Sequence, residues 1–339
     1  AADHDVKING DYDITRASKD GEGTLYFVSL NPYSVGATTR TYEFAGNLTL
    51  HGHDDPTSGS LLLGFEHQLL TYNHAATVTG TSILKNSGTI NLASGYNLVG
   101  IQIDTEYSYA SQEFIKQPQT INAGTINITS KNSIGIDYGY YQSYAPNTKL
   151  YIGNVNVKGE NNYGLRMKDY HTRTADYYDK TDVTGENGVI TVEGKKNVGI
   201  YMAQGASTGD PLAKVTKLQV KVGGENNIGF LRSGSPGVNS NPFNLDSTRL
   251  GGTFTFNENK TTKNSALVRS DFGEVILSKD YNWTTGNLGD GNSFLQAGKT
   301  GTVTYKSGNK LEVKANKFYA MTAGSFDTAS PTTGATINN

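Results

Sequence analysis

The chain has 339 residues, enough for one large domain or two ordinary ones, and 35% of them are hydrophobic. Forty glycines favour short strands and tight turns over helices, and 21 tyrosines argue against a disordered chain. The 29 basic and 31 acidic residues nearly balance without a long basic run, which argues against nucleic acid as a partner, and no apolar stretch has membrane-spanning length. There is no cysteine, so no disulfide can form.

The first 83 residues match the rest of the chain weakly. Within them, "AGNLTLHG" (45–52) is predicted to be a first strand and "SLLLGFE" (60–66) a second. Residues 1–40 lack this pattern, which indicates an atypical rung covering the open end of a repeat fold. The opening "AADHDV" is typical of sequence just after a signal-peptidase site, although a trimmed chain would begin in the same way. We assign 1–83 to an N-terminal cap and the first irregular rungs.

A short phrase recurs along the middle of the chain. Each copy has an alternating apolar run, a polar corner and a second run with a glycine, as in "NAGTINITSKNSIGIDYG" (122–139). The glycines of the five copies are Gly100, Gly135, Gly164, Gly199 and Gly229. Their spacings of 35, 29, 35 and 30 residues indicate a solenoid or a propeller. A propeller is disfavoured because its blades repeat every 40 to 50 residues or so, with regular hairpins.

Period-two alternation divides each copy into inward and outward positions. The inward positions of the first strands are Ile126 and Ile128, Val155 and Val157, Ile190 and Val192, and Val220 and Val222. Those of the second strands are Val99, Ile101 and Ile103, Ile134, Ile136 and Tyr138, Tyr163, Leu165 and Met167, Val198, Ile200 and Met202, and Ile228 and Phe230. Gly135 and Asp137 are expected on the outer face. These columns predict an all-β fold, a right-handed parallel β-helix that forms a three-sided solenoid.

Every corner carries asparagine. The corner residues are Asn97, Asn132, Asn161, Asn162, Asn197, Asn226 and Asn227. Asn tolerates the left-handed backbone conformation, and its side chain can bond the local backbone. Stacked corners therefore predict an asparagine-rich ladder, a role favoured over ligand recognition.

Weaker copies continue towards the C-terminus, for example "GGTFTFNENKTTKNSALV" (251–268). We assign 84–325 to β-helix rungs with inserted loops. The last stretch, 326–339, ends in "TTGATINN", which is similar to the first strand "AGTINITS". It is predicted to start a further rung, so the chain is expected to be a fragment of a longer protein.

Insertions after the second strand are rich in tyrosine, at 104–114, 138–147 and 169–182. Because they follow equivalent strands, we expect them to emerge on one side of the rod. Tyrosine offers a large contact area at little cost in conformational entropy, so it is common in binding loops. The candidate ligand- or receptor-binding residues are Tyr107, Tyr109, Tyr140, Tyr141, Tyr144, Tyr170, Tyr177 and Tyr178. The alternative is that these rings pack on one another and hold the loops, while Tyr138 and Tyr163 are assigned to the core.

The phrase N-x-G-x-I-x-[VLI], with its Asn corner and the following G-[IL], resembles the passenger region of large autotransporter proteins of Gram-negative bacteria. It is especially similar to the surface adhesins of fusobacteria, closely over 84–232 and loosely over 233–325. The resemblance implies type V secretion, an upstream signal peptide and a C-terminal β-barrel that anchors the parent protein in the outer membrane. It also implies display on the cell surface, virulence, and adhesion to host cells, glycans or other bacteria.

Three functions stay open at this point. The favoured one is an adhesin that binds a protein or glycan receptor, a monomer without catalytic residues, cofactor or metal. The second is a polysaccharide-degrading enzyme, which needs two carboxylates about 5–9.5 Å apart, such as Asp104 and Asp137 on stacked rungs. The third is a toxin-type passenger, but no amphipathic segment of this sequence supports that hypothesis.

Three polar groups carry weaker hypotheses. Asp137 and Arg166 are expected on adjacent rungs as an exposed ion pair worth about 0–1 kcal/mol. "HGHDD" places His51 and His53 on one side of a strand, as metal ligands could be, but a solvated turn is favoured. "DYYDKTD" (176–182) clusters carboxylates without the glycine and bidentate Glu of a calcium loop.

Overall fold

The structure is a computed structural model that describes most of the chain. The described residues are 4–16, 23–30, 38–69, 80–105, 119–140, 148–169, 181–204, 214–234, 243–245, 250–277, 282–306, 310–313, 317–323 and 336–338. Within these ranges all regular structure is β, and every pair of strands is parallel.

The strands begin and end as follows. In chain order they are β1 (Val6–Ile8), β2 (Asp11–Thr15), β3 (Thr24–Leu30), β4 (Arg40–Phe44), β5 (Asn47–His51), β6 (Leu61–Leu69), β7 (Ser82–Asn86), β8 (Thr89–Ser94), β9 (Leu98–Thr105), β10 (Gln119–Asn122), β11 (Thr125–Ile128), β12 (Ile134–Tyr140), β13 (Thr148–Tyr151), β14 (Asn154–Val157), β15 (Tyr163–Asp169), β16 (Thr181–Thr184), β17 (Val189–Val192), β18 (Val198–Gln204), β19 (Lys214–Val222), β20 (Ile228–Gly234), β21 (Phe243–Leu245), β22 (Leu250–Phe256), β23 (Ala266–Leu277), β24 (Asn282–Thr285), β25 (Ser293–Tyr305), β26 (Lys310–Val313), β27 (Tyr319–Ala323) and β28 (Thr336–Asn338).

Three strands make one turn of the chain, which we call a rung, and each strand pairs with its equivalent one rung away. The first wall runs β1-β4-β7-β10-β13-β16-β19, and the second runs β2-β5-β8-β11-β14-β17-β19. The long β19 belongs to both walls and joins them into one sheet. The third wall runs β3-β6-β9-β12-β15-β18-β20-β23-β25-β27, ten strands that span about 43 Å at about 4.8 Å per strand.

This topology is a parallel β-helix, as the sequence predicted, and it excludes the propeller, whose blades are antiparallel. The right-handed winding stays a prediction, in line with the strong right-handed preference of parallel crossovers. The N-terminal region predicted to be an atypical cap contains β1, β2 and β3, which pair with β4, β5 and β6 in the same three-wall order. The division at 83 and 325 stays a prediction.

The register stacks like residues on one another. Ile126 pairs with Val155, and Val155 with Ile190, so the first predicted column is confirmed. All three side chains are fully buried. The third wall repeats this arrangement, since Ile136 pairs with Leu165 and both belong to the same core. Aliphatic columns from the three walls therefore fill the interior.

The repeat glycine faces the core, and the prediction that Gly135 lies on the outer face is wrong. A Cβ built on Gly135 would lie 3.2 Å from Cδ1 of Ile128 and 2.7 Å from the carbonyl oxygen of Gly164. A side chain here would collide with the next rung, so glycine allows this close approach. The inward alternation is consequently interrupted. Ile136 lies in the main core, whereas Ile134 packs in a second, small cluster with partly buried Tyr163.

Tyr138 is fully buried in the main core, as predicted, whereas Tyr163 is only partly buried and packs against the second core cluster. Both residues occupy the third wall. The difference follows from the repeat glycine of each rung. Tyr163 precedes Gly164 and packs against the second cluster, whereas Tyr138 follows Gly135 and packs in the main core.

The corners form the predicted asparagine ladder. Asn132 and Asn161 have left-handed φ values of 50° and 59°, and Lys196 takes this position in its rung with φ 55°. The residue that follows the left-handed position, such as Asn162 or Asn197, is buried. The side-chain oxygen of this buried residue accepts a hydrogen bond from a backbone N–H of the preceding rung. The Asn162 N–H donates to Oδ1 of Asn197 at 2.8 Å, and similar bonds continue along the ladder.

A charged ridge runs along the outside of the same corner. Its residues bridge one another in the order Tyr96, Lys131, Glu160, Lys195, Glu225 and Lys263. The ammonium of Lys131 lies 5.7 Å from the ring centroid of Tyr96. Nζ of Lys195 and Nζ of Lys263 lie 3.7 Å and 3.5 Å from the Glu225 carboxylate. Basic and acidic side chains therefore alternate from rung to rung.

We predict that Gly135→Ala and Gly164→Ala each destabilise the fold by about 1–3 kcal/mol, because the added methyl overpacks a site without space. The measurement is urea unfolding followed by far-UV circular dichroism. Gly59→Ala is the matched control, since nothing lies within 4 Å of a Cβ at that exposed position. Equal midpoints for all three variants and the parent would contradict the close approach.

Candidate functional site

The tyrosine-rich insertions begin and end side by side. They leave the third wall after Thr105, Tyr140 and Asp169, which are paired neighbours on β9, β12 and β15. The chain returns to the first wall at the paired starts of β10, β13 and β16, namely Gln119, Thr148 and Thr181. Neighbouring strands lie about 4.8 Å apart, so the insertion points lie together on one flank of the rod.

The proposed binding residues themselves lie almost entirely outside the described residues. Tyr140 is the last residue of β12, and its backbone pairs between Thr105 and Asp169. The remaining candidates, which fall in 106–118, 141–147 and 170–180, are Tyr107, Tyr109, Tyr141, Tyr144, Tyr170, Tyr177 and Tyr178. Their role stays a prediction.

A polar column lies on the outer face of the third wall, a few residues before these insertion points. Its paired members are Ser29, Glu66, Gln102, Asp137, Arg166 and Tyr201. The Ser29 hydroxyl donates a hydrogen bond to the Glu66 carboxylate. Although these side chains alternate with core residues and so point outwards, Glu66 is 6% exposed and Asp137 is 8% exposed. The sequence pattern gave no signal for this burial.

Asp137 and Arg166 form the predicted ion pair, in a bidentate arrangement. Arg166 donates from Nε to Oδ1 of Asp137 at 2.8 Å and from Nη2 to Oδ2. The expectation of an exposed pair is wrong, because Asp137 is buried and the Arg166 side chain is 20% exposed. A desolvated pair with two parallel hydrogen bonds is held much more firmly than a surface contact.

The carboxylate pair of the enzyme hypothesis is not side by side. Asp137 pairs with Gln102 on β9, whereas Asp104 pairs with Gly139, two residues further along β12. Both oxygens of Asp137 accept hydrogen bonds from Arg166. The geometry therefore assigns Asp137 a structural partner, and the enzyme hypothesis draws no support from it.

Tyr201, a member of this column, contacts Tyr163 on the neighbouring strand of the third wall. The rings of Tyr163 and Tyr201 meet edge to face, with centroids 5.0 Å apart. Burial raises the pKa of the Tyr163 hydroxyl. This contact ties the small second cluster to the outer polar column.

The histidines of "HGHDD" are engaged by protein groups. Nδ1 of His51 lies 2.7 Å from the Ser94 hydroxyl, and its Nε2 lies 3.3 Å from Asp13. Nδ1 of His53 accepts a hydrogen bond from the Asp55 N–H at 3.2 Å, and its ring is buried, so the expected solvated turn is wrong for His53.

The part of the chain that the structure describes contains no group of three or more residues able to hold a metal ion. The calcium hypothesis falls largely outside it. Asp176 and Asp179 are not among the described residues, and of Asp182 only the backbone is described.

The sequence did not predict a cluster of buried polar side chains in the interior of the β-helix. His67 on β6 is fully buried, and its Nε2 lies 2.9 Å from the hydroxyl of buried Ser82. Gln119, the neighbour of Ser82 on β10, is 1% exposed. Burial lowers the pKa of His67 to about 4, since the interior disfavours its charged form. His67 follows the outward-facing Glu66 in the otherwise apolar strand β6. Strand alternation therefore indicates an inward position for His67, which is a weak signal for its burial.

No protein-family profile, no characterised protein and no solved structure matches the chain. No helix in the described ranges is long and apolar enough to cross a membrane. The autotransporter resemblance therefore stays a prediction from the repeat phrase.

We predict that Arg166→Met destabilises the fold by about 3–5 kcal/mol, because it leaves the buried Asp137 carboxylate uncompensated. The double variant Asp137→Leu with Arg166→Met is expected to recover most of this loss, since it removes both charges. Urea unfolding of the two variants and the parent measures the effect. If the double variant were no more stable than Arg166→Met, the carboxylate would not be the source of the loss.

We predict that the buried His67 makes stability depend on pH. Its folded pKa of about 4 lies below the unfolded value of 6.5, so the unfolded state binds more protons between these limits. Stability is therefore present above about pH 6.5 and is lost as the pH falls towards 4, by about 2 kcal/mol between pH 7 and pH 5.

Urea unfolding at pH 7 and pH 5 tests this. His67→Gln keeps a hydrogen-bonding side chain that does not titrate, so its loss between the two pH values should be about 2 kcal/mol smaller. Identical pH dependence in the variant and the parent would contradict the assignment to His67.

Proposed function

We propose that the chain is a segment of a bacterial surface adhesin of the autotransporter class. In this proposal the β-helix is a rigid stalk displayed outside the outer membrane of a Gram-negative cell. Its insertions bind a protein or glycan receptor on a host cell or a partner bacterium. The observation that carries the proposal is the stacking of the insertion points on one flank.

The position of these points favours a composite binding surface. Insertions that start about 4.8 Å apart are close enough to contact one ligand together. The segments 106–118, 141–147 and 170–180 hold seven of the 21 tyrosines in less than a tenth of the chain. Tyrosine side chains lose little entropy on binding and combine a flat apolar ring with a hydroxyl.

The scaffold beneath the insertions supports a display role. Binding residues are commonly carried by loops that a rigid framework positions. Here the framework has buried aliphatic columns, an asparagine ladder and the bidentate pair of Asp137 and Arg166 directly beneath the insertion points. The rungs therefore hold the ends of the insertions, while the insertions are free to differ in sequence and length.

We predict that tyrosine loss in these segments weakens binding at least tenfold. One variant carries serine at all seven tyrosines of the three segments, and a second replaces 170–180 by a seven-residue Gly/Ser linker. Seven residues are sufficient there, because 141–147 already joins Tyr140 to Thr148 on the next rung. Binding is measured on a printed glycan array and on epithelial cell monolayers.

The matched control replaces 235–242, a tyrosine-free segment after β20, with a Gly/Ser linker of equal length. It should bind like the parent. Equal binding by the parent and the tyrosine variants would refute the loop assignment, and absence of binding to both probes would refute the adhesin proposal for these receptors.

A further inference from the structure

The charged ridge continues towards the C-terminus with the same alternation. Within the ridge, the residue that follows each member donates its backbone N–H to the carbonyl oxygen of the next member. Asn264, which follows Lys263, donates in this way to Asp290 at 3.0 Å. Gly291, which follows Asp290, donates to Lys317 at 2.9 Å. The extended ridge therefore contains, in order, Tyr96, Lys131, Glu160, Lys195, Glu225, Lys263, Asp290 and Lys317.

The charged side chains of the extended ridge are not saturated by contacts within the chain. Its four lysines are exposed, and the Lys317 side chain is 74% exposed although its Nζ lies 3.0 Å from the Asp290 carboxylate. Glu160 forms no ion pair with the described residues. An ammonium group has three donors and a carboxylate has about four acceptor sites, so the ridge can bind further charged groups.

The order of charges along the extended ridge is complementary to itself when reversed. Basic and acidic side chains alternate at the rung spacing of about 4.8 Å, so two ridges laid antiparallel stay in step. In the register that pairs the most residues, three lysines face an acid and the fourth faces a tyrosine ring. The facing pairs are Lys131 with Asp290, Glu160 with Lys263, Lys195 with Glu225, and Tyr96 with Lys317. The Tyr96 ring already lies near an ammonium group in its own chain, and the face of such a ring attracts cations.

We propose that two copies of this chain bind each other side by side and antiparallel, extended ridge against extended ridge. A two-fold axis between the rungs of Lys195 and Glu225 relates the copies, so the same surface is used twice and the contact closes at a dimer. Registers shifted by one rung place like charges opposite each other and are disfavoured. The contact is narrow and polar, so we expect the weak association that small interfaces give.

The contact uses outward side chains along the length of the rod and no strand edge, so it is equally accessible in a longer chain. The extended ridge follows the corner between the second and third walls, whereas the tyrosine-rich insertions leave after the third wall. The dimer is therefore independent of the proposed receptor binding. It makes the opposite prediction to the monomer expected from the sequence.

Sedimentation velocity from about 10 to about 500 µM protein tests the association, because mass action makes it depend on concentration. The mass should rise from 36.4 kDa towards twice that value and not beyond it. Raising the salt concentration from about 20 to about 500 mM should weaken the dimer at least tenfold, since salt screens exposed charges.

Neutral variants locate the contact. Lys195→Gln combined with Glu225→Gln removes the central facing pairs and should weaken the dimer at least tenfold in low salt. The matched control is Lys217→Gln combined with Glu186→Gln, which removes an exposed ion pair at the corner between the first and second walls. This control should associate like the parent, and thermal melts equal to the parent's confirm that both variants fold.

Disulfide trapping tests the register, since the chain has no cysteine of its own. Glu160→Cys and Lys263→Cys face each other across the dimer, so an equimolar mixture of these single variants should form a linked heterodimer on oxidation. In a mixture of Glu160→Cys and Lys195→Cys the two positions are offset by two rungs, about 9.6 Å, which disfavours the bond. The first mixture should therefore give at least five times more linked heterodimer.

Three results would overturn the proposal. They are a mass of 36.4 kDa at every concentration in low salt, a dimer that neither salt nor the central neutral variant weakens, and a first mixture that is trapped no better than the second.

Discussion

The constraint on which the rest depends is the pairing of each strand with its equivalent one rung away. Since the ladder is parallel and in register, every residue lies on the residue that holds the same position in the next rung. A favourable choice is therefore repeated along the rod, as in the aliphatic columns and the asparagine ladder. An unfavourable choice would be repeated as well, which explains why the position that approaches the next carbonyl oxygen is glycine in successive rungs.

Sequence reasoning predicted those parts of the fold that depend on strict repetition. The column of Ile126, Val155 and Ile190 follows from period-two alternation, and the Asn corners follow from backbone preference. The prediction from sequence failed at Gly135, where local geometry breaks the alternation. The sequence pattern does not show how closely the backbone of the next rung approaches this residue. It also left the short strands of the first wall unassigned, since four residues such as "TKLY" in β13 carry too little periodicity.

The candidate site was predictable to a smaller extent. The sequence placed the insertions after equivalent strands, and the paired ends of β9, β12 and β15 agree with this. The burial of Asp137 could not be predicted, because exposure of an outer wall depends on residues far away in the chain. For His67, alternation along β6 indicates an inward position, but its partner Ser82 is brought to it by the turn of the β-helix and could not be predicted from the sequence.

The alternating charges of the corner ridge restrict how many rungs such a rod can gain or lose at a time. Loss of one rung would bring two like charges together, for example Lys131 and Lys195, whereas loss of two adjacent rungs would preserve the alternation. The intervals between repeat glycines follow the same rhythm, long and short in turn at 35, 29, 35 and 30 residues. Along this ridge, the unit that can be duplicated or deleted without placing like charges together is therefore a pair of turns, some 65 residues of chain.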